Sequence, residues 1–169
     1  MEGKMQWSGP DPEDGWEQDV WLMARRLALM YYHFAQVIME RLGEEEGRRL
    51  IKEAVWRYGN ACGKAVREGV ERMGLEPTAE NFRLIPDLPS RGWRRQTVKL
   101  PDGRRQVQTI LCPFAVVWKE LGAEDLGRIY CFVDQAKVEG YNPELECIHA
   151  HNVLDGDPFC EIVIRPKEG

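Results

Sequence analysis

The sequence predicts an α+β fold in which long N-terminal helices pack on a mostly antiparallel sheet built from two hairpins. Three observations lead there. The first half carries two long stretches with apolar residues at helical spacing, and the second half carries two turn signals, each flanked by strand-like segments. Strands do not alternate with helices in the way that a parallel sheet requires.

Residues 1 to 16 are polar and broken by proline and glycine, and they read as a flexible arm ahead of a single domain over 17–169. Val20, Met23, Leu27, Met30, Phe34 and Ile38 then recur at three- and four-residue steps, which predicts a helix ending near Gly43. Trp21, Leu22, Leu29, Tyr31 and Val37 make its other sides apolar as well, so this helix is expected at the centre of the fold or shared with a partner chain in a homodimer. A second helix opens in the acidic turn Glu44 to Glu46, which suits the positive end of a helix dipole. It turns Ile51, Val55, Tyr58, Cys62, Val66 and Met73 inward and stops at Gly74. Within it Gly59, Gly63 and Gly69 each cost up to about 1 kcal/mol relative to alanine, so something approaches closely there, either a packed helix or a ligand.

A short helix capped by Thr78 and a loop from Pro86 to Gly92 follow. The segments 96–100 and 104–112 flank Pro101-Asp102-Gly103, a turn signal joining two strands. Pro113 suits the first turn of a helix reaching Leu121-Gly122, and Glu124 and Asp125 open another that runs through Glu139 to the stop Gly140-Tyr141-Asn142-Pro143. The last hairpin spans 145–153 and 159–165 around Asp155-Gly156-Asp157.

Composition excludes several classes. The chain of 169 residues is 43% hydrophobic and 30% charged without a run of about 18 apolar residues, so no membrane span is expected. A formal net charge of -5 gives no general electrostatic case for nucleic acid. No secretory signal opens the sequence, and its five cysteines are odd in number and lack CxxC spacing, which points to reduced thiols and a cytoplasmic setting.

The chemistry-bearing residues gather between Arg128 and Ile164. On the helix from Glu124, Gly127, Cys131 and Asp134 fall on one face, placing a thiol beside a carboxylate with a glycine one turn earlier to admit a ligand. A carboxylate alone raises a thiol's pKa, so Cys131 needs a cation or a histidine to become a nucleophile near neutral pH. A two-residue Asp155-Gly156 turn would set His151 opposite Cys160 and put Cys147, His149, His151 and Cys160 on one side of the ribbon. A three-residue turn would move Cys160 to the other side. His149, His151 and Cys160 are also candidate ligands for zinc or another divalent metal. Asp157 sits beside Cys160, and Arg94 and Arg95 belong to a basic hairpin whose forks suit a substrate carboxylate.

The run RIYCFVDQAKVEGYNPELECIHAHNVLDGDPFCEIVI resembles the C-terminal part of the L-2-amino-thiazoline-4-carboxylic acid hydrolase family, in the helix from Cys131 to Asp134, the Gly140-Tyr141-Asn142-Pro143 stop, and Gly156-Asp157 with Cys160. Its last piece, GDPFCEIVI, is also similar to the end of 4-vinyl reductase domains, which bind small molecules. The first resemblance implies hydrolytic opening of a small cyclic amidine bearing a carboxylate. Water or a thiolate, Cys131 or Cys160, would attack, His149 or His151 would move protons, Asp134 would orient the base or bind the ring's amino group, and Arg94 or Arg95, with Gly127 and Asp157, would bind substrate. The second implies a sensor that binds a small molecule or metal without turnover. A third reading makes the cysteines and histidines structural and assigns function to the apolar helices as interaction surfaces.

Overall fold

The structure is a computed structural model that describes residues 7–168. Helix α1 (Gly15–Leu42) is capped by Asp14, whose side chain accepts from the Glu17 N–H at 2.8 Å. It turns at Gly43 directly into α2 (Glu44–Arg72), and Ala35 meets Ile51 and Val55 where the two helices run back along each other. Of the expected arm, residues 1–6 lie outside the described residues. Trp7 stacks on Trp21 with ring centroids 4.8 Å apart, and the Ser8 N–H bonds Glu120, so this part of the N-terminal segment is seated on the body.

Of the two places expected for α1, the centre of the fold is not where its apolar stripe lies. Met23, Met30 and Phe34 are exposed, and α1 packs on the body through Trp21, Ala24, Ala28 and Ala35. Periodicity gave the angle of the stripe but not its partner. Small alanines let α1 lie close to the helix α3 (Pro113–Glu120), whose Phe114, Val117 and Trp118 supply the bulk. On α2, Ile51, Val55 and Val66 do point inward, whereas Tyr58 and Met73 are exposed. The inward face is completed by glycines. A Cβ on Gly63 would sit 2.0 Å from the Lys137 carbonyl oxygen, and one on Gly59 2.6 Å from that of Val133. Those carbonyls belong to α5 (Val133–Tyr141), so the glycines serve close helix packing, and Gly140 reciprocates against Asn60.

The helix expected from Glu124 to Glu139 is two. Helix α4 (Glu124–Cys131) ends where the Phe132 N–H bonds Ile129 three residues back, and α5 restarts from the Phe132 carbonyl, which accepts from Ala136. The short helix after Thr78 is a single 3-10 turn, Asn81–Arg83.

Strands β1 (Arg94–Lys99) and β2 (Arg105–Leu111) form the predicted antiparallel hairpin, with Gly103 at φ 86 in its turn and Asp102 accepting from the Arg104 N–H. Strands β3 (Leu145–His151) and β4 (Glu161–Pro166) form the second. Its connection is not the two-residue turn expected at Asp155-Gly156. Asn152 stops the strand, a 3-10 turn Val153–Asp155 follows, and the ladder resumes at His151 opposite Glu161, with an irregularity between His149 and His151. Cys160 pairs instead with Thr109 of β2 through two backbone hydrogen bonds of 2.9 Å, which join the hairpins edge to edge.

Candidate active site

A cavity of about 290 Å³ lies between residues 82–90, the β1–β2 hairpin, α5 and the β3–β4 hairpin. Its walls are mixed: Phe82, Val107, Ile162 and Ile164 are apolar, while Arg83, Asp87, Arg95, Asp134 and Lys137 carry charge. The glycine-mediated contact of α5 with α2 sets the depth at which Asp134 and Lys137 stand, because a bulkier α2 face would push both outward.

Asp134 is the junction of the site. One carboxylate oxygen is 3.2 Å from His149 Nε2 and the other 3.8 Å from Lys137 Nζ, which also reaches Asp87 at 3.0 Å. Burial alone would lower the Lys137 ammonium, but the carboxylates of Asp134 and Asp87 outweigh it and hold its pKa above the ordinary value. The His149 side chain is only 5% exposed. Its Nδ1 lies 3.3 Å from Arg128 Nη1 and 3.3 Å from Asn152 Nδ2. Both neighbours donate; the Asn152 amide is oriented by its Oδ1, which accepts from the Leu154 N–H. Nδ1 is therefore the acceptor, and a neutral ring carries its proton on Nε2, the nitrogen beside Asp134. The Nε2–Asp134 contact is close enough for an ion pair but off hydrogen-bond alignment, so Nε2 is a buried polar atom without a hydrogen-bond partner. Such a contact tightens readily when a ligand settles against the carboxylate.

Arg83 and Arg95 bring two more cations to the wall. Burial and the neighbouring Arg83 pull the Arg95 pKa down from its ordinary value, the signature of two guanidinium groups sharing a region with too little negative charge. Neither is in an ion pair among the described residues. A carboxylate ligand would supply the missing anion.

The remaining sequence candidates are dispersed. His151, across the ribbon from Glu161 and not from Cys160, has a 42% exposed side chain, 3.4 Å from Asp157. Asp157 also accepts from the Asn152 backbone N–H at 2.7 Å, so it holds the shape of the connection. Cys160 Sγ receives the Val153 N–H at 3.4 Å. With His149 turned toward Asp134, His151 toward Asp157 and Cys160 toward Val153, the expected metal trio does not assemble, and among the described residues no three His, Cys, Asp or Glu side chains converge as a ligand set. Arg94 is committed to Glu17 at 2.9 Å and serves the N-terminal segment. Gly127 admits no ligand, since the space above it is filled by Trp118 and Leu154, 2.5 and 2.8 Å from where a Cβ would be.

Burial works against thiolate formation at Cys112, Cys131, Cys147 and Cys160. Burial pushes Cys131 up to about 12, aided by Cys112, and Cys147 up to about 12; it pushes Cys112 up to about 11, and Cys160 upward as well. The expected pairing of a thiol with a histidine is replaced by a carboxylate with a histidine. Sequence reasoning missed Arg83, Asp87, Asn152, Arg128 and Lys137, the last because its spacing places it with core residues. The 3-10 turn that carries Arg83, the loop that carries Asp87 and the strand connection that carries Asn152 have no periodic pattern to betray a site.

The fold is a small α+β one, and its cavity around Asp134 carries charges of both signs. The family described as L-2-amino-thiazoline-4-carboxylic acid hydrolase matches residues 23–164, and the chain belongs to it. Comparison with curated proteins and with solved structures gives no match.

Proposed function

We propose that the protein is a hydrolase that opens a small cyclic amidine bearing a carboxylate, of the thiazoline-carboxylate type that the family's name describes. The observation that carries this reading is the placement of Asp134, backed by buried His149, in the same cavity wall as the unpaired Arg83 and Arg95. A volume of about 290 Å³ suits a single five-membered ring with one carboxylate.

In this reading the two arginines hold the substrate carboxylate and Asp134 takes a proton from water, which attacks the ring carbon between nitrogen and sulfur. Burial raises the pKa of both candidate thiols, Cys131 and Cys160, so this reading takes water as the nucleophile. Collapse of the tetrahedral centre breaks the carbon–sulfur or the carbon–nitrogen bond. The water oxygen remains on the ring carbon as a carbamoyl group. For carbon–sulfur cleavage one hydrogen goes to the ring nitrogen and the other to sulfur; for carbon–nitrogen cleavage both go to nitrogen. His149 positions Asp134 through Nε2 and is itself held by Arg128 and Asn152.

Incubation with 2-amino-thiazoline-4-carboxylate tests this by mass spectrometry and thiol titration. The expected product is heavier by one water, with a new free thiol if the carbon–sulfur bond breaks, and Asp134→Asn slows its formation by at least about 100-fold. Unchanged substrate with the wild-type protein across related ring carboxylates sinks the reading. The raised pKa values of Cys131 and Cys160 also favour a second one, a binding module like the 4-vinyl reductase domains, in which calorimetry registers a carboxylate ligand in the same cavity and no product forms.

A further inference from the structure

We propose that two copies of this chain pack against each other through the outer face of α1. Along this helix Met23, Met30 and Val37 stand seven residues apart, and Val20, Leu27 and Phe34 stand seven apart between them. The resulting alternation of three- and four-residue steps is the 3.5-residue seam by which one helix recognises another. A helix that only covers a globular core follows 3.6 and buries its stripe. Here the stripe is outside: Met23 is 66% and Phe34 64% exposed, and Trp16 extends the seam at 75%.

The occupant follows from area and shape. The seam exposes on the order of 700 Å² of apolar side chain, close to what one partner contributes to a standard protein interface and above what an isolated monomer usually leaves in water. The ridge is flanked by two apolar grooves. One, of about 440 Å³, runs between α1 and α2 beside Ile51, Val55 and Tyr58. The other, of about 1020 Å³, lies beside Leu88, Pro89 and Trp93. One surface thus offers both the knobs and the holes, the self-complementarity that a two-fold contact between identical chains requires. Asp19, Arg26, His33 and Glu40 border the seam with mixed sign, a polar rim without a single-sign field to repel a second copy. Leu88 and Pro89 line both the second groove and the catalytic cavity, so the contact would steady one wall of the site.

Sedimentation or light scattering of the full chain decides this. The expected species has twice the 19.6 kDa chain mass, with a dissociation constant at or below about 10 μM. The double variant Met30→Glu with Phe34→Glu is expected to weaken association by at least about 100-fold. It should keep the wild-type circular dichroism and a cooperative melt, because neither side chain is in the core. Lys64→Glu, the same kind of charge change on exposed α2, leaves the dimer intact. A wild-type monomer at about 100 μM overturns the proposal. So does a dimer that survives the double variant, or native mass spectrometry showing a monomer whose grooves carry an apolar ligand.

Discussion

His149 and His151 stand two residues apart on one strand, yet one is 5% exposed against Asp134 and the other 42% exposed beside Asp157. In a regular ribbon they would share a face. The irregularity between them, and the long connection built on Asn152, separate their environments. Residue type and spacing are the same for both, so the difference is one of surroundings. The histidine held by Arg128 and Asn152 is buried against Asp134, and the one at the strand end is partly open to solvent.

The strongest way to break this contrast acts from a distance. Gly63→Ala places a Cβ 2.0 Å from the Lys137 carbonyl, and α5 has to move away from α2. A destabilisation of about 3 kcal/mol or more is expected, with loss of activity, because Asp134 is carried off His149; thermal or denaturant unfolding measures it.

Substitution of the two histidines is the direct comparison. Asp134→Asn is expected to lower kcat by about 10²–10⁴-fold. His149→Asn lowers kcat by about 10–100-fold with KM little changed, because it acts through Asp134. His151→Asn stays within about 3-fold of wild type. Equal losses for the two histidines would show that the strand environment does not matter.

Arg83→Ala and Arg95→Ala test the other wall. Each is expected to raise KM by about 10-fold for a carboxylate substrate, and to have little effect on an uncharged analogue. An equal effect on both would remove the anion-holding role.

The pH dependence of stability tests how dry the interior next to the ribbon is. An ordinary thiol titrates near 9.0, whereas Cys131 and Cys147 are held at about 12 and Cys112 at about 11. Above pH 9 the unfolded chain gives up these protons and the native protein keeps them. The raised pKa values therefore contribute stability that is fully present below pH 9 and lost as pH rises toward 11–12, at up to about 1.4 kcal/mol per thiol per pH unit. Denaturant titrations from pH 8 to 11 should show that decline, and a Cys147→Ser variant should show a shallower one. A flat profile would mean that these three thiols are solvated.

Several of these features were legible in the sequence. Asp102-Gly103 marked the first hairpin, Pro113 and the acids at 124 and 125 marked helix starts, and Gly59 and Gly63 announced a close approach. Asp134 and His149 stood among the candidates, but their meeting did not, since most of α5 and the start of β3 lie between them. The second hairpin was read with the wrong connection because Asp155-Gly156 is a good local turn signal, and here Gly156, at φ 95, closes a 3-10 turn. Cys160 left its expected place opposite His151 because the edge of β2 offered it two backbone hydrogen bonds.

By itself the sequence determined what short-range physics controls: helix periodicity, caps, turns, and the positions where a side chain cannot be accommodated. Only the tertiary structure decided which face of α1 is turned out, which histidine is buried, and which arginines lack a partner. Those outcomes depend on competition between surfaces far apart in the chain. The alanines of α1 found Phe114 and Trp118, α5 found the glycines of α2, and what remained unpaired became the cavity and the outer seam.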